Sequence, residues 1–145
     1  ELGLVGSEMC IRDRYGDFIM EFDYYVWDAN VSQKAAVDKA MAAIVKSGIL
    51  AGRFDLSIDI EFVSTAGGGC VDMEDGEFLI EINNRMREAS IIATVLHEMV
   101  HVKQYAEGRL TQTTWMNEPL PELPYRELPW EVEAWDMEKT LGDFV

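Results

Sequence analysis

His97-Glu98-Met99-Val100-His101 places two imidazoles and a carboxylate within five residues. These histidines are the only two in a chain of 145 residues. On a helix, residues four apart share a face, one above the other. Two neutral imidazoles so placed can grip one Zn²⁺. The carboxylate beside the first can act as base toward a water that the metal acidifies. Ordinary residue frequencies give this pattern by chance in roughly one chain of this length in a few hundred, so the flanking residues must support the chemistry.

They do. Ile91, Ile92, Val95, Leu96, Met99 and Val100 recur at helical spacing, which predicts a partly buried helix over residues 88–107. Lys103 and Gln104 near its end, and Gly108 beyond it, read as a stop. A catalytic zinc takes three protein ligands and leaves one position open. With no third histidine, that ligand falls to a carboxylate. Glu131 and Glu133 open a second helix expected over residues 129–140, with Pro129 in its first turn. Each helical position adds about 100° of rotation, so the two glutamates cannot face one metal equally well.

The remaining pattern is that of a small α+β domain. Phe18, Met20, Phe22, Tyr24 and Val26 alternate along a strand over residues 17–27. Asn30 and Gln33 form a reciprocal helix cap, Val37 to Val45 repeats at helical spacing, and Gly48 closes that helix. Leu56, Ile58, Ile60 and Phe62 mark a half-buried strand. Residues 65–69 read as a loop. Its three glycines lack the ending of a phosphate loop, and the nearby Asp72, Glu74, Asp75 and Glu77 lack calcium-loop spacing. Residues 70–73 and 77–83 flank Asp75-Gly76, a hairpin signal. Residues 109–128 show little periodicity and carry Pro119, Pro121 and Pro124; a loop of this length is expected to be functional.

A formal charge of −15 repels phosphate backbones and argues against nucleic-acid binding. No apolar run reaches the length of a membrane span. Residues 4–14, and Glu8–Asp13 above all, resemble the translation of a transposase adaptor used in sequencing-library preparation. That resemblance implies that residues 1–14 are foreign to a single domain over 15–145, and that Cys10 is uninformative. Cys70 then stands alone, which points to a reducing, cytoplasmic setting.

His97-Glu98-x-x-His101 followed by Glu131-x-x-Ala134 resembles the gluzincin metallopeptidases. Pro129-Trp130-Glu131-Val132-Glu133-Ala134 is also similar to compact metallopeptidase-like proteins of phage and bacterial genomes. The resemblance spans roughly residues 77–138. It implies a minimal zincin-like fold: a small, mostly antiparallel twisted sheet of about four strands, packed on an N-terminal helix and the motif helix, with a C-terminal ligand helix. It further implies a zinc peptidase with one Zn²⁺ on His97, His101 and Glu131 (Glu133 as the alternative), Glu98 as general base, and a peptide or protein substrate. Tyr125 and Tyr105 are the candidate oxyanion donors. Trp115, Trp130 and Trp135 are candidates for the cleft wall. The strand over 78–83 would offer a free sheet edge to an extended peptide. Many relatives carry Asp directly after the small residue, where it holds the first zinc histidine; here Trp135 stands there. Asp136, Glu138 or a backbone carbonyl must then serve, since ligand histidines need such a partner. The competing reading is a non-catalytic, zinc-stabilised or partner-binding module on a peptidase-like scaffold.

Overall fold

The computed structural model describes residues 4–12, 18–52, 55–65 and 69–145, with side chains from Phe22 onward. The side chains of Phe18 and Met20, the centre of the loop expected at 65–69 and the Asp13–Arg14 end of the adaptor-like stretch lie outside the described residues.

The alternation in the sequence becomes one sheet. β2 (Phe18–Trp27) buries Phe22, Tyr24 and Val26. β3 (Ser57–Val63) buries Ile58, Ile60 and Phe62, and β5 (Glu77–Asn83) buries Phe78, Ile80 and Ile82. β4 (Gly69–Asp72) pairs with β5 as a hairpin. The adaptor-like β1 (Leu4–Arg12) pairs antiparallel with β2. The order is β1-β2-β3-β5-β4.

The fold is α+β, but the sheet is mixed rather than mostly antiparallel. β2–β3 and β3–β5 run parallel. The reason is the connection: α1 (Val31–Ser47) carries the chain from the end of β2 back to the start of β3, as a parallel pair requires. Alternation reports which face is buried and says nothing of strand direction. A second expectation also fails. The strand over 78–83 is interior, hydrogen-bonded to β3 on one side and β4 on the other. The hairpin leaves β4 outermost, so among the described residues β4 is the edge strand on that side.

The reciprocal cap starts α1 as its residues require. Asn30 Oδ1 accepts from the Gln33 amide at 2.8 Å, and Gln33 Oε1 accepts from the Asn30 amide at 2.9 Å. Gly48, at φ 73°, ends it. Ala36, Val37, Ala40, Met41 and Ile44 of α1 join the buried strand face in one core. α2 (Glu88–Ala106) packs on α1 and over β4 and β5, contributing Ile91, Val95, Leu96, Met99 and Val100. α3 (Pro129–Gly142) packs on α2.

Between α2 and α3 the chain is not structureless. β6 (Thr114–Trp115) and β7 (Glu118–Pro119) form a hairpin whose two turn residues, Met116 and Asn117, have φ of 53° and 68°. Two left-handed residues match the twist of a two-residue hairpin. A 3₁₀ turn follows at Tyr125–Glu127. Strands of two residues are too short to leave a periodic signal. No described helix is long and apolar enough to cross a membrane.

Gly76 sets the β4–β5 turn. Its φ is 78°, and a Cβ there would lie 2.5 Å from the Asp55 carbonyl oxygen. Gly76→Ala therefore combines left-handed strain with a clash against backbone, together about 3 kcal/mol. Urea unfolding should show that loss; an unchanged midpoint would mean the turn is not built as described.

Candidate metal centre

α2 is buried around its motif because its apolar residues face both the sheet and α1. His97 and His101 emerge one turn apart toward α3 and are themselves buried. α3 starts at Pro129, whose missing N–H costs nothing in a first turn. Glu131 then points at the two rings. Ala134, three residues on, is fully buried and lets α3 approach α2 closely. The helices run antiparallel: the start of α3 meets the end of α2, and Glu138 lies beside His97.

Glu131 bridges the histidines. Its Oε1 lies 2.9 Å from His97 Nε2 and its Oε2 lies 3.1 Å from His101 Nε2. Among the described residues, one nitrogen from each ring and one carboxylate oxygen lie within 4.8 Å of one another. A tetrahedral ion with bonds of about 2.0 Å needs ligand atoms roughly 3.3 Å apart. The donor set, two imidazoles and one carboxylate, suits such an ion, so these residues could hold a metal.

Glu133 does not join them. Two helical positions on from Glu131, it faces Arg109, with contacts of 2.8 Å from Nη1 to Oε2 and 2.9 Å from Nη2 to Oε1. The outer nitrogens of the rings are also engaged. His97 Nδ1 lies 3.2 Å from Glu138 Oε1, and His101 Nδ1 lies 2.8 Å from Gln104 Oε1. Of the partners weighed for His97, Glu138 takes the position and Asp136 does not. Gln104 was missed beyond its place at the helix end. Its signal was a polar side chain three residues after His101, on the same side of an otherwise apolar helix.

Electrostatics follow from burial. Burial alone would raise the Glu131 carboxyl, but hydrogen bonds from His101 and His97 hold its pKa down to about 2. Burial, the largest single influence, would lower both histidines, yet the hydrogen bond to Glu131, the neighbouring carboxylate charges and, at His101, the bond to Gln104 together outweigh it and both are raised. Glu98 is different. Burial pushes it above the usual carboxylate range, although the two rings pull the other way. Only 8% of Glu98 is exposed, and among the described residues its side chain has no hydrogen bond or ion pair.

A two-part cleft covers the triad. The larger cavity, about 420 Å³, is bounded by Ser90, Thr94, His97, Trp135 and Glu138 among others. The smaller, about 210 Å³, is bounded by Cys70, His101, Tyr105, Trp130 and Glu131 among others. Glu98 and Tyr125 belong to both. The Tyr125 hydroxyl donates to Glu131 Oε1 at 3.0 Å, and burial with the Glu131 charge pushes its pKa up to about 12. Tyr105 packs on Phe78, and burial raises its hydroxyl too. Trp135 and Trp130 each wall one cavity. Trp115 packs at a tilt against Trp130 with ring centres 5.9 Å apart. The Cys70 thiol is free, and burial holds it protonated.

No family model, curated protein or solved structure matches this chain.

Two outcomes follow from the triad. Glu131→Ala should weaken metal binding by orders of magnitude in competition with a chelating dye, and Glu133→Ala far less; the reverse ranking would reassign the third ligand. A cation must also displace protons from two rings whose pKa values are raised, while Glu131 stays ionised. Affinity should therefore fall with decreasing pH, by up to about 100-fold per unit once both rings are protonated. A flat affinity between pH 5.5 and 8 would exclude the histidines as ligands.

Proposed function

We propose that this chain is a zinc-dependent peptidase of the gluzincin type, with zinc on His97, His101 and Glu131. One observation carries the reading: Glu98 is largely enclosed beside that triad, its carboxylate is free of protein partners among the described residues, and it opens to both halves of the cleft. A purely structural metal needs no such group. Its position and raised pKa suit a base that must first take and then return a proton.

When bound, zinc supplies an acidified water and polarises the scissile carbonyl. Glu98 takes the proton of the attacking water as its oxygen bonds to the carbonyl carbon. It then delivers that proton to the amine as the C–N bond breaks. Tyr125, at the junction of the cavities and protonated across the working pH range, is the leading donor to the oxyanion. Tyr105, confined to the smaller cavity, is second. The substrate is an extended peptide. β4 is the edge strand there among the described residues, and its Gly69 and Cys70 border the smaller cavity. Backbone pairing there would hold a peptide with little demand on its side chains.

Glu98→Gln is the deciding variant. It should keep one zinc per chain and lose at least about 100-fold in cleavage of an unfolded protein substrate. Undiminished cleavage would refute Glu98 as the base. Zinc bound by the unaltered chain, with a raised Tm and no cleavage of any peptide pool, would point instead to a metal-stabilised module.

A further inference from the structure

The second zinc-binding histidine is held by a side-chain chain that begins on α2 and ends in the hairpin of the long loop. Gln104 is fully buried. Its Nε2 donates to the Trp130 carbonyl and to Glu133 Oε1, both at 3.0 Å. A primary amide has two N–H donors, and both are thus spent on acceptors. Turning the amide over would set its oxygen against a carbonyl and a carboxylate. Its oxygen must therefore face His101, whose Nδ1 lies 2.8 Å away. An oxygen there accepts, so Nδ1 carries the hydrogen. Once a cation displaces the proton that Nε2 shares with Glu131, the ring keeps its hydrogen at Nδ1 and offers its lone pair at Nε2. Glu133 is itself fixed by both Nη atoms of Arg109, and the guanidinium lies over Trp115, 5.4 Å from the ring centre.

We infer that Gln104 is a positioning residue: oriented by Glu133 and the Trp130 carbonyl, it fixes His101 in the tautomer that offers Nε2 to the metal. The inference rests on His101 being a zinc ligand and deepens that reading. It also gives Glu133 and Arg109 a role that the ligand assignment left without one. They polarise and lock the amide rather than touch the ion.

The test uses the full chain, zinc-loaded and ¹⁵N-labelled. Long-range ¹H–¹⁵N spectra should show His101 protonated at Nδ1 and metal-bound at Nε2. Gln104→Met, similar in length but unable to accept, should weaken zinc binding about 10–100-fold. The swap Q104E/E133Q keeps an acceptor toward His101 and a donor from position 133 but leaves the Trp130 carbonyl without its N–H, so it should recover part of that loss; a merely space-filling role would not be rescued this way. Should Gln104→Met fail to fold, Glu133→Gln carries the test at a less buried site. It removes the charge that orients the amide and should weaken zinc binding about tenfold with the fold intact. Wild-type affinity and tautomer in Gln104→Met, or in Glu133→Gln where that is the variant read, overturn the positioning role and leave the zinc ligands standing. An unaltered chain that binds zinc without cleaving peptides rejects only the peptidase reading, while one that binds no zinc overturns both.

Discussion

A carboxylate shared between two imidazoles, all three buried between two helices, is the constraint on which the site depends. Charges taken out of water survive only when paired and hydrogen-bonded. Glu131 meets that condition with one oxygen on each ring. The pairing fixes the rotation of α3 about its axis, because the neighbouring acids point elsewhere. It also fixes the distance between helices, which Ala134 permits by offering a methyl group where they come closest. α3 contributes few other buried side chains, Leu141 among them. Its place is therefore set as much by polar partners as by apolar area.

α2 has the opposite character. It is seated by apolar contact with α1 and the sheet, so its motif face is rigid before any ligand chemistry begins. The mixed sheet matters here. With β2, β3 and β5 parallel, their buried faces form a floor for two helices, and β4 is left at the rim under the motif helix. The same hairpin that made β5 interior brings Gly69 and Cys70 to the cleft. The outer strand is thus brought to the candidate metal centre by the turn at Gly76, which joins β4 to β5.

What the sequence disclosed, and what it hid, divides along the range of the interactions. His97 and His101 are one turn apart on a helix, so their convergence is local and visible. The Glu131–Glu133 choice was legible in part, since helical rotation lets only one face the rings. The strands were visible from alternation, but their directions depend on how α1 and the β4–β5 hairpin connect them. Gln104 was hidden for a different reason. Its partners Trp130 and Glu133 lie 26 and 29 residues away, across a loop without periodicity. Arg109 opens that loop, and its carboxylate and tryptophan partners come to it only through the fold.

Trp135 stands where the gluzincin resemblance leads to the expectation of an acid. An acid directly after Ala134 would have served His97, and this chain has an indole there, 5.8 Å from the imidazole and perpendicular to Tyr125. The acceptor comes instead from Glu138, seven residues after Glu131. Seven steps of about 100° fall close to two full turns, so Glu138 returns to the face that carries Glu131. Because the helices are antiparallel, moving toward the end of α3 moves toward the start of α2, and Glu138 meets the far nitrogen of His97 rather than the near one. The extra methylene of glutamate over aspartate extends its reach across the gap. Position 135 is then free of the triad and becomes an aromatic wall of the larger cavity. The indole lies to one side of the His97 ring, and Glu138 takes the ring's far nitrogen.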